Sequence, residues 1–224
     1  MKILAIDTST KNFSLAVSDK GKILAEKVVL LEKKLSSSII VLIREILRKA
    51  KVNLADIDGF AVGLGPGSFT SLRVGLSTVK GLAFALKKPL VGIPSLDAVA
   101  AGIENASGQI CVISDAKRDL FYTCLYSQSN GNIRREGEYR LVSFDDVAKK
   151  IKGKAIFTGD GVSLCRDRIQ KLSKGNILAD EEYWYPQARH LTVLAEQRFK
   201  EKKYDNPGKL VPLYLYPDNC QVIR

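Results

Sequence analysis

The amino-acid sequence predicts an α/β fold with two lobes, each built on a mixed β-sheet flanked by helices. Three apolar runs, separated by short polar turns, open the chain before any helical pattern begins. Strand and helix patterns then alternate up to about residue 103. The order of strand, polar turn and strand at residues 3–17 starts again at residues 110–125. Because an internal echo of this kind indicates a repeated unit, we expect the second lobe to duplicate the first.

The first lobe is predicted to begin with a β-hairpin and a third strand, followed by alternating helices and strands. Short runs of apolar or alternating residues predict strands, and apolar residues that recur every three or four positions predict helices. The expected strands are 3–7, 13–17, 22–31, 57–62 and 90–93, and the expected helices are 36–51, 68–86 and 95–103.

The second lobe is predicted to start after the polar segment Asn105 to Gly108, so that the two domains are residues 1–106 and 107–224. Its expected strands are 109–114, 120–126, 133–141 and 155–158, and its expected helices are 144–151, one that ends near 172, and 188–203. The apolar tail at 210–216 is expected to pack as an extended segment.

Composition and charge limit the classes of partner. Lys and Arg number 35 against 24 Asp and Glu, a net charge of +11, which favours association with a polyanion. Basic residues are scattered, so solvated helix faces remain an alternative explanation. A carboxylate at Asp7 interrupts the first apolar run, and no run approaches the roughly 20 apolar residues of a membrane span. We therefore expect a cytoplasmic protein with no membrane partner.

Cysteine and histidine give no sign of a catalytic or metal centre. The four cysteines are widely separated, without a CxxC pair, and His190 is the one histidine. Neither zinc-type spacing nor a Cys/His nucleophile pair can be assigned from this pattern. We expect no catalytic residue and no metal ligand, with His190 as an ordinary helix residue.

A glycine turn at residues 63–68 lies between a predicted strand and a predicted helix. Glycines at such a turn let backbone N–H groups converge at a helix N-terminus, where an anion can bind. The turn is not a P-loop, because no Lys and hydroxyl residue follow Gly67 in the required order. A simpler interpretation is that Ser68 caps the helix and the glycines only permit the turn.

Two strings, IDTST at 6–10 and GPGSFTSLRVGL at 65–76, resemble the TsaB family, bacterial proteins that assist in making N6-threonylcarbamoyladenosine in tRNA. The resemblance covers the first hundred residues well and the second half loosely. It implies two actin-like (ribonuclease H-like) lobes. It also implies a supporting role, in which TsaB binds TsaD and, with the ATPase TsaE, threonylcarbamoyl passes from its adenylate to the adenosine next to the anticodon. The tRNAs concerned read codons that begin with A.

In that scheme TsaD carries the metal and the chemistry. Two histidines one helical turn apart ligate the metal in TsaD, whereas the corresponding helix here, which begins near Leu35, has none. The resemblance therefore implies that this chain is an inactive paralogue. The alternatives are an autonomous ATPase or carbohydrate kinase of the actin-like class, or a glycoprotease-like peptidase.

Nucleotide binding by the chain itself is expected to be weak. An ATPase of this class needs a carboxylate for magnesium and glycines around the phosphates in both lobes. Asp7 can supply the carboxylate, but neither the turn at 8–10 nor that at 115–117 contains glycine. We expect no tightly bound cofactor. Any weak binding of ATP or ADP is expected at the cleft or at the partner interface. The residues expected nearest to it are Asp7, Thr8, Ser9, Gly65, Gly67, Ser68, Phe69 and Thr70.

Two predicted helices carry features of a protein interface. Apolar residues of helix 36–51 span about 160° of the helical wheel, more than one sheet face requires, although plain core burial is an equal alternative. Helix 68–86 bears a side of small residues that lets another helix approach. We expect TsaD, or a second copy of this chain, to bind there, and TsaE and tRNA to join through the complex. The predicted contacts are Ser36, Ile40, Ile43, Leu47, Ser71, Gly75, Thr78 and Ala85.

Overall fold

A computed structural model describes residues 1–30 and 35–216. The chain forms two compact units. Unit 1 comprises Met1–Ala98 and Pro186–Pro212, and unit 2 comprises Val99–Tyr185 and the described residues from 213 onward. None of the helices in the described ranges is long and apolar enough to cross a membrane.

Unit 1 is built on a five-stranded mixed sheet, sheet 1, with the strand order β3-β2-β1-β4-β5. The first three strands are antiparallel neighbours, whereas β1, β4 and β5 run parallel, so that Ile3 pairs with Gly59 and Phe60 pairs with Leu90. The strands are β1 (Lys2–Asp7), β2 (Asn12–Asp19), β3 (Lys22–Leu30), β4 (Gly59–Gly63) and β5 (Leu90–Ile93).

Helices cover both faces of sheet 1. The helices of unit 1 are α1 (Leu35–Ala50), α2 (Phe69–Leu86), α3 (Ser95–Ala100, whose last two residues belong to unit 2) and α6 (Ala188–Lys200). One face buries the apolar stripes of α1 and α2 against Leu4, Ile6 and Phe60. The opposite face buries the stripe of α6 against Ile3 and Ala5. A two-sided core of this kind explains why β1 and β4 are apolar at nearly every position.

Unit 2 repeats the arrangement. Its sheet, sheet 2, has the order β10-β9-β6-β7-β8, which matches sheet 1 strand for strand when β6 is set on β1. The two mixed sheets confirm the predicted α/β fold, and their common order confirms the predicted duplication. The elements are β6 (Gln109–Asp115), β7 (Leu120–Ser129), β8 (Asn132–Ser143), α4 (Phe144–Ala148), β9 (Ala155–Thr158), α5 (Val162–Leu172) and β10 (Ile177–Leu178).

The division between the units differs from the predicted boundary at 106/107. The chain passes into unit 2 at Val99 and returns to unit 1 at Pro186, so α6 belongs to unit 1 rather than to the second lobe. Leu191 and Phe199 of α6 are buried on sheet 1, and the N–H of Ala188 donates to the Ser14 hydroxyl at 2.7 Å. The sequence shows the apolar stripe of this helix, but the stripe alone does not indicate which of the two sheets the helix covers.

Candidate functional site

Asp7 ends β1 with a carboxylate that is completely buried. Its Oδ1 accepts hydrogen bonds from the N–H of Ser9 at 2.8 Å and from the Ser9 hydroxyl at 2.6 Å. Its Oδ2 accepts from the Ser95 hydroxyl at 2.6 Å. Ser95 in turn accepts from the N–H of Gly65 at 3.0 Å. The carboxylate therefore ties the end of β1 to the glycine turn and to the start of α3, and we name this group the Asp7 clasp.

Burial governs the acid chemistry of the clasp. Desolvation raises the pKa of Asp7 above its ordinary value of 3.8, and hydrogen bonds from Ser9 and Ser95 oppose that shift. Gly63 lies directly against the carboxylate, because a Cβ built there would be 1.9 Å from Asp7 Oδ2. A carboxylate that holds a metal ion needs an oxygen open to that ion, whereas both oxygens of Asp7 are enclosed by the chain itself.

The glycine turn closes on the loop that follows β1. The N–H of Ser68 donates to the carbonyl oxygen of Ser9 at 2.8 Å, and a Cβ on Gly67 would be 2.1 Å from that same oxygen. Glycine is thus required because backbone meets backbone at this point. The Ser68 side chain does not cap α2, since its hydroxyl donates to the Ser71 hydroxyl at 3.0 Å. Protein oxygens already accept from the N–H groups of Gly65 and Ser68.

The corresponding turn in unit 2 is closed in a similar way. A Cβ on Gly159 would be 2.1 Å from the carbonyl oxygen of Ile113, and the N–H of Gly161 donates to that oxygen at 3.1 Å. Between these glycines, Asp160 accepts from the Ser114 hydroxyl at 2.7 Å and from the N–H of Asp115 at 2.9 Å. Each unit therefore uses its glycine turn to fasten two strands together.

The residues predicted near a nucleotide fall into two groups. Asp7, Thr8 and Ser9 are buried and Gly65 lies with them, so the structure brings these two loops together. Nucleotide binding there stays a prediction. The outer residues of the turn lie apart from the carboxylate, and Ser68, Phe69 and Thr70 are exposed at the start of α2, while Gly67 is half-buried. Sequence reasoning missed Ser95 as a clasp member, because 88 residues separate it from Asp7 and no spacing pattern links them.

The predicted partner-interface residues do not share one surface. Ser36, Ile40 and Ala85 are exposed, and Ser71 and Thr78 are half-buried. Ile43 and Leu47 are buried in the core beneath α1, and Gly75 is buried beneath α2. A partner cannot reach these three residues, so the predicted contact set is corrected to exclude them. The wide apolar arc of α1 is explained largely by burial within unit 1.

Glycines 75 and 81 of α2 have different reasons for being small. A Cβ on Gly75 would be 2.3 Å from Thr8 Oγ1, so this glycine lets α2 pack closely on the loop after β1. The Thr8 hydroxyl also donates to the carbonyl oxygen of Ser71 at 2.9 Å, which fixes the contact. Gly81 is exposed, and a Cβ there would meet no atom of the described residues within 4 Å. Gly75 thus serves the chain's own packing, and Gly81 does not.

An outward face of α2 carries an exposed aromatic side chain that the sequence analysis did not select. Phe84 is 83% exposed, which is unusual for a large apolar residue. Ser77, Gly81 and Ala85 are exposed on the same outward face. Ile40 and Val41 are about half-exposed on α1, which packs beside α2 on the same side of sheet 1. We call Ile40, Val41, Ser77, Gly81, Phe84 and Ala85 the outer helix face.

His190 is half-buried in unit 1. Its Nδ1 lies 3.2 Å from the carbonyl oxygen of Ala98. Burial, together with the positive charge of Arg189, lowers the pKa of the ring to about 4. Across residues 1–30 and 35–216, histidine, cysteine, aspartate and glutamate side chains form no group of three that could hold a metal ion.

We predict that His190 titrates near pH 4. Since its pKa in the folded protein lies below the ordinary value of 6.5, the neutral ring contributes stability above pH 6.5 that is lost as the pH falls towards 4. The chain has one histidine, so the ring Cε1–H resonance in a proton NMR titration reports it without ambiguity. A midpoint near 6.5 would contradict the prediction and show that burial and Arg189 do not disfavour the charged ring.

Comparison with known proteins identifies relatives over nearly the whole chain. A family model described as TsaD, tRNA N6-adenosine threonylcarbamoyltransferase, matches residues 28–220. The tRNA threonylcarbamoyladenosine biosynthesis protein TsaB of Bacillus subtilis is 30% identical over 220 residues, which cover 96% of this chain and 94% of the relative. The Escherichia coli protein of the same name is 28% identical over 221 residues, with the same two coverages.

Solved structures show the same fold. A Pseudomonas aeruginosa protein described as similar to the peptidase YEAZ has a TM-score of 0.83 at 24% identity, covering 96% of this chain and 99% of that one. A polyphosphate/ATP-glucomannokinase from Arthrobacter has a TM-score of 0.54 at 13% identity, covering 88% and 99%. The likeness to a sugar kinase confirms the actin-like fold that was predicted for the two lobes.

Proposed function

The chain belongs to the TsaB family, and from this premise we propose that it is a non-catalytic partner of a TsaD protein in making N6-threonylcarbamoyladenosine in tRNA. A part in tRNA threonylcarbamoyladenosine biosynthesis follows from membership of the family. The finer assignment is that this chain forms a heterodimer with TsaD, and that TsaE and tRNA join through the complex. TsaD then transfers the threonylcarbamoyl group, and this chain supports it.

The Asp7 clasp is the observation that carries the non-catalytic assignment. The resemblance implies that an actin-like ATPase would need a carboxylate such as Asp7 for magnesium and glycine-permitted backbone around the phosphates. In this chain Oδ1 and Oδ2 of Asp7 accept three hydrogen bonds from Ser9 and Ser95. The N–H of Ser68 is taken by the carbonyl of Ser9. To bind a nucleotide phosphate, the protein would first have to break contacts that hold sheet 1, α2 and α3 together.

The outer helix face supports the heterodimer. Its exposed apolar residues, Phe84 above all, cost free energy in water and are typical anchors of a protein interface. Gly81 and Ser77 beside Phe84 leave room for a partner backbone to approach. We commit to TsaD as the occupant because the family model that matches this chain is that of TsaD itself, and related chains of one fold can pack helix against helix. A second copy of this chain is the competing occupant when TsaD is absent.

The alternative functions gain no specific support from the structure. An autonomous ATPase or sugar kinase would need the clasp to open, and the likeness to a kinase extends to the fold alone. A glycoprotease-like peptidase would need a reactive centre, and His190 is held against the carbonyl of Ala98 instead. The predicted binding of ATP or ADP at the partner interface stays a prediction.

Reconstitution tests the proposal. The chain, TsaD and TsaE from the same organism are combined with threonylcarbamoyl-adenylate, ATP and a tRNA transcript, and the modified nucleoside is measured by mass spectrometry. We expect multiple turnover only when both this chain and TsaD are present, and a stable complex of the two in size-exclusion chromatography. Full activity of TsaD and TsaE without this chain would refute the proposal, as would modification by this chain without TsaD.

A further inference from the structure

Several lysines lie at one end of unit 1. This is the end at which the parallel strands of sheet 1 begin, whereas the Asp7 clasp lies at the end at which β1 finishes. The parallel strands β1, β4 and β5 all start there, since Ile3 pairs with Gly59 and Phe60 pairs with Leu90. The turn between β2 and β3 lies beside them, because the N–H of Lys20 donates to the carbonyl oxygen of Met1. We call this the amino end of sheet 1.

Three helices also finish at the amino end. After α1 the chain reaches β4, where the N–H of Asp58 donates to the carbonyl oxygen of Lys2 at 2.8 Å. Leu86, the last residue of α2, is separated from β5 by only three residues. The C-terminal part of α6 meets the start of β4, because a Cβ on Gly59 would be 2.7 Å from the ring of Phe199.

Most of the lysines at this end have no acidic partner among residues 1–30 and 35–216. Arg198, Lys200 and Lys203 are paired with carboxylates. Six others have no ion-pair partner within the part of the chain that the structure describes, and all but the half-buried Lys88 are exposed. These six are Lys20, Lys22, Lys51, Lys87, Lys88 and Lys202. Among the described residues, the amino end therefore carries six lysines without an ion-pair partner, beside two exposed carboxylates, Asp56 and Asp58.

Four of these lysines occupy left-handed backbone positions that favour glycine. The φ angles of Lys20, Lys51, Lys87 and Lys202 are 49°, 55°, 52° and 56°. A residue with a Cβ is about 1–2 kcal/mol less stable than glycine in that conformation. A cation near a helix C-terminus regains part of this cost at the three lysines that follow helices. No helix precedes Lys20, so no helix dipole offsets the cost of its left-handed conformation, and glycine or asparagine would be more stable at this position.

Unit 1 also carries most of the net charge of the chain. Unit 1 carries 21 Lys and Arg side chains against 11 Asp and Glu, whereas the rest of the chain carries 14 against 13. The net charge of +11 is therefore almost entirely a property of unit 1. Arg134 and Arg135, which form a prominent basic pair in the sequence, lie in the nearly neutral unit 2.

We propose that the amino end of sheet 1 is an RNA-binding surface that contacts phosphates through lysines placed on four separate turns. The inference deepens the proposed function, in which tRNA is the substrate, by naming the surface of this chain that touches it. Flexible lysines without acidic partners suit the phosphate backbone, which they bind without reading sequence. Tyr204 is 49% exposed next to Lys203, and an aromatic ring there can stack on an unpaired base.

The test compares two variants of equal net charge. In the first, Lys20, Lys51, Lys87 and Lys202 are changed to Asn, a neutral residue that tolerates the left-handed conformation. In the control, four exposed lysines of unit 2 are changed to Asn, namely Lys150, Lys152, Lys171 and Lys174. Binding of the full chain to a fluorescent tRNA transcript is followed by anisotropy over a range of salt concentrations.

We expect the first variant to bind at least about tenfold more weakly at low salt, with its log–log salt slope flattened by about 0.7–0.9 for each phosphate that a lysine no longer neutralises. The control should change affinity much less, because it alters only long-range attraction. Equal effects of the two variants would overturn the proposal, as would binding of the unsubstituted chain to phosphatidylserine vesicles but not to RNA. Complex formation with TsaD is measured in parallel on the unsubstituted chain. Its failure would refute the proposed function while leaving the RNA result interpretable.

Discussion

Changing Gly75 to alanine will destabilise the protein, whereas the same change at Gly81 in the same helix will stabilise it. Alanine in a helix interior is favoured over glycine by about 1 kcal/mol, so both substitutions gain that amount. At Gly75 the new Cβ falls 2.3 Å from Thr8 Oγ1, and α2 or the loop after β1 must move. Overpacking of a tight core contact costs about 1–3 kcal/mol, which outweighs the gain. At Gly81 no atom in the described part of the chain lies close enough to oppose the gain in helix propensity.

Thermal unfolding of the two single variants measures the difference. We expect the melting temperature to fall for Gly75→Ala and to rise slightly for Gly81→Ala, because only the first variant disturbs the packing of α2 on Thr8. The pair controls for helix propensity, since both positions lie within α2. If Gly75→Ala leaves stability unchanged but abolishes binding to TsaD, then Gly75 is an interface residue as the sequence predicted, and its proposed role in packing α2 is wrong.

Changing Phe84 to aspartate will strongly weaken the complex with TsaD without unfolding the chain. Phe84 is 83% exposed, so a polar side chain there removes no core contact and should leave the melting temperature unchanged. Within an interface, loss of an aromatic anchor costs about 2–4 kcal/mol, which corresponds to a loss of affinity of at least about 30-fold. The buried charge of the new carboxylate adds to that cost.

Leu164→Asp is the matched control. Leu164 is 62% exposed on α5 of unit 2, so it tests whether any new charge on an exposed apolar residue impairs binding. Isothermal titration of each variant with TsaD gives the affinities, and size-exclusion chromatography of the chain alone shows whether a homodimer uses the same face. Normal binding by Phe84→Asp would place the TsaD interface elsewhere on the molecule.

Sequence patterns predicted the architecture because each element carries its own signal. Strands β1 and β4 are continuous apolar runs because both faces of sheet 1 are buried. Helix α2 has apolar residues every three or four positions because only one of its faces is buried. The extent of α4 was overestimated, and the two-residue strand β10 was missed, because neither has enough residues for a clear period. The place of α6 depends on long-range packing with sheet 1, which no local pattern records.

The candidate site was predicted only in outline. The resemblance drew attention to Asp7 and the glycine turn, and the structure shows that they lie together. The Asp7 carboxylate is closed to a ligand because the Ser95 hydroxyl donates to it and Gly63 packs against it. The sequence offers no reason to connect these two positions with Asp7. A helical wheel gives the direction of each side chain but not how deeply it is buried. Ile43 and Leu47 were therefore assigned to an interface although they are buried. Phe84 was overlooked because it lies outside the buried apolar stripe of α2, among small residues, and does not change the pattern of that stripe.

The most direct test of the account is the modification rate of Asp7→Asn in the reconstituted reaction. Asparagine has the shape of aspartate, and its Oδ1 can still accept the Ser9 hydrogen bonds, so the variant should fold and bind TsaD at a temperature well below its melting point. Because Asp7 only holds loops together in this account, we predict that the folded variant keeps most of the wild-type rate. A folded, TsaD-binding variant whose rate falls by about 100-fold or more would mean that this carboxylate takes part in the chemistry, and would contradict the account.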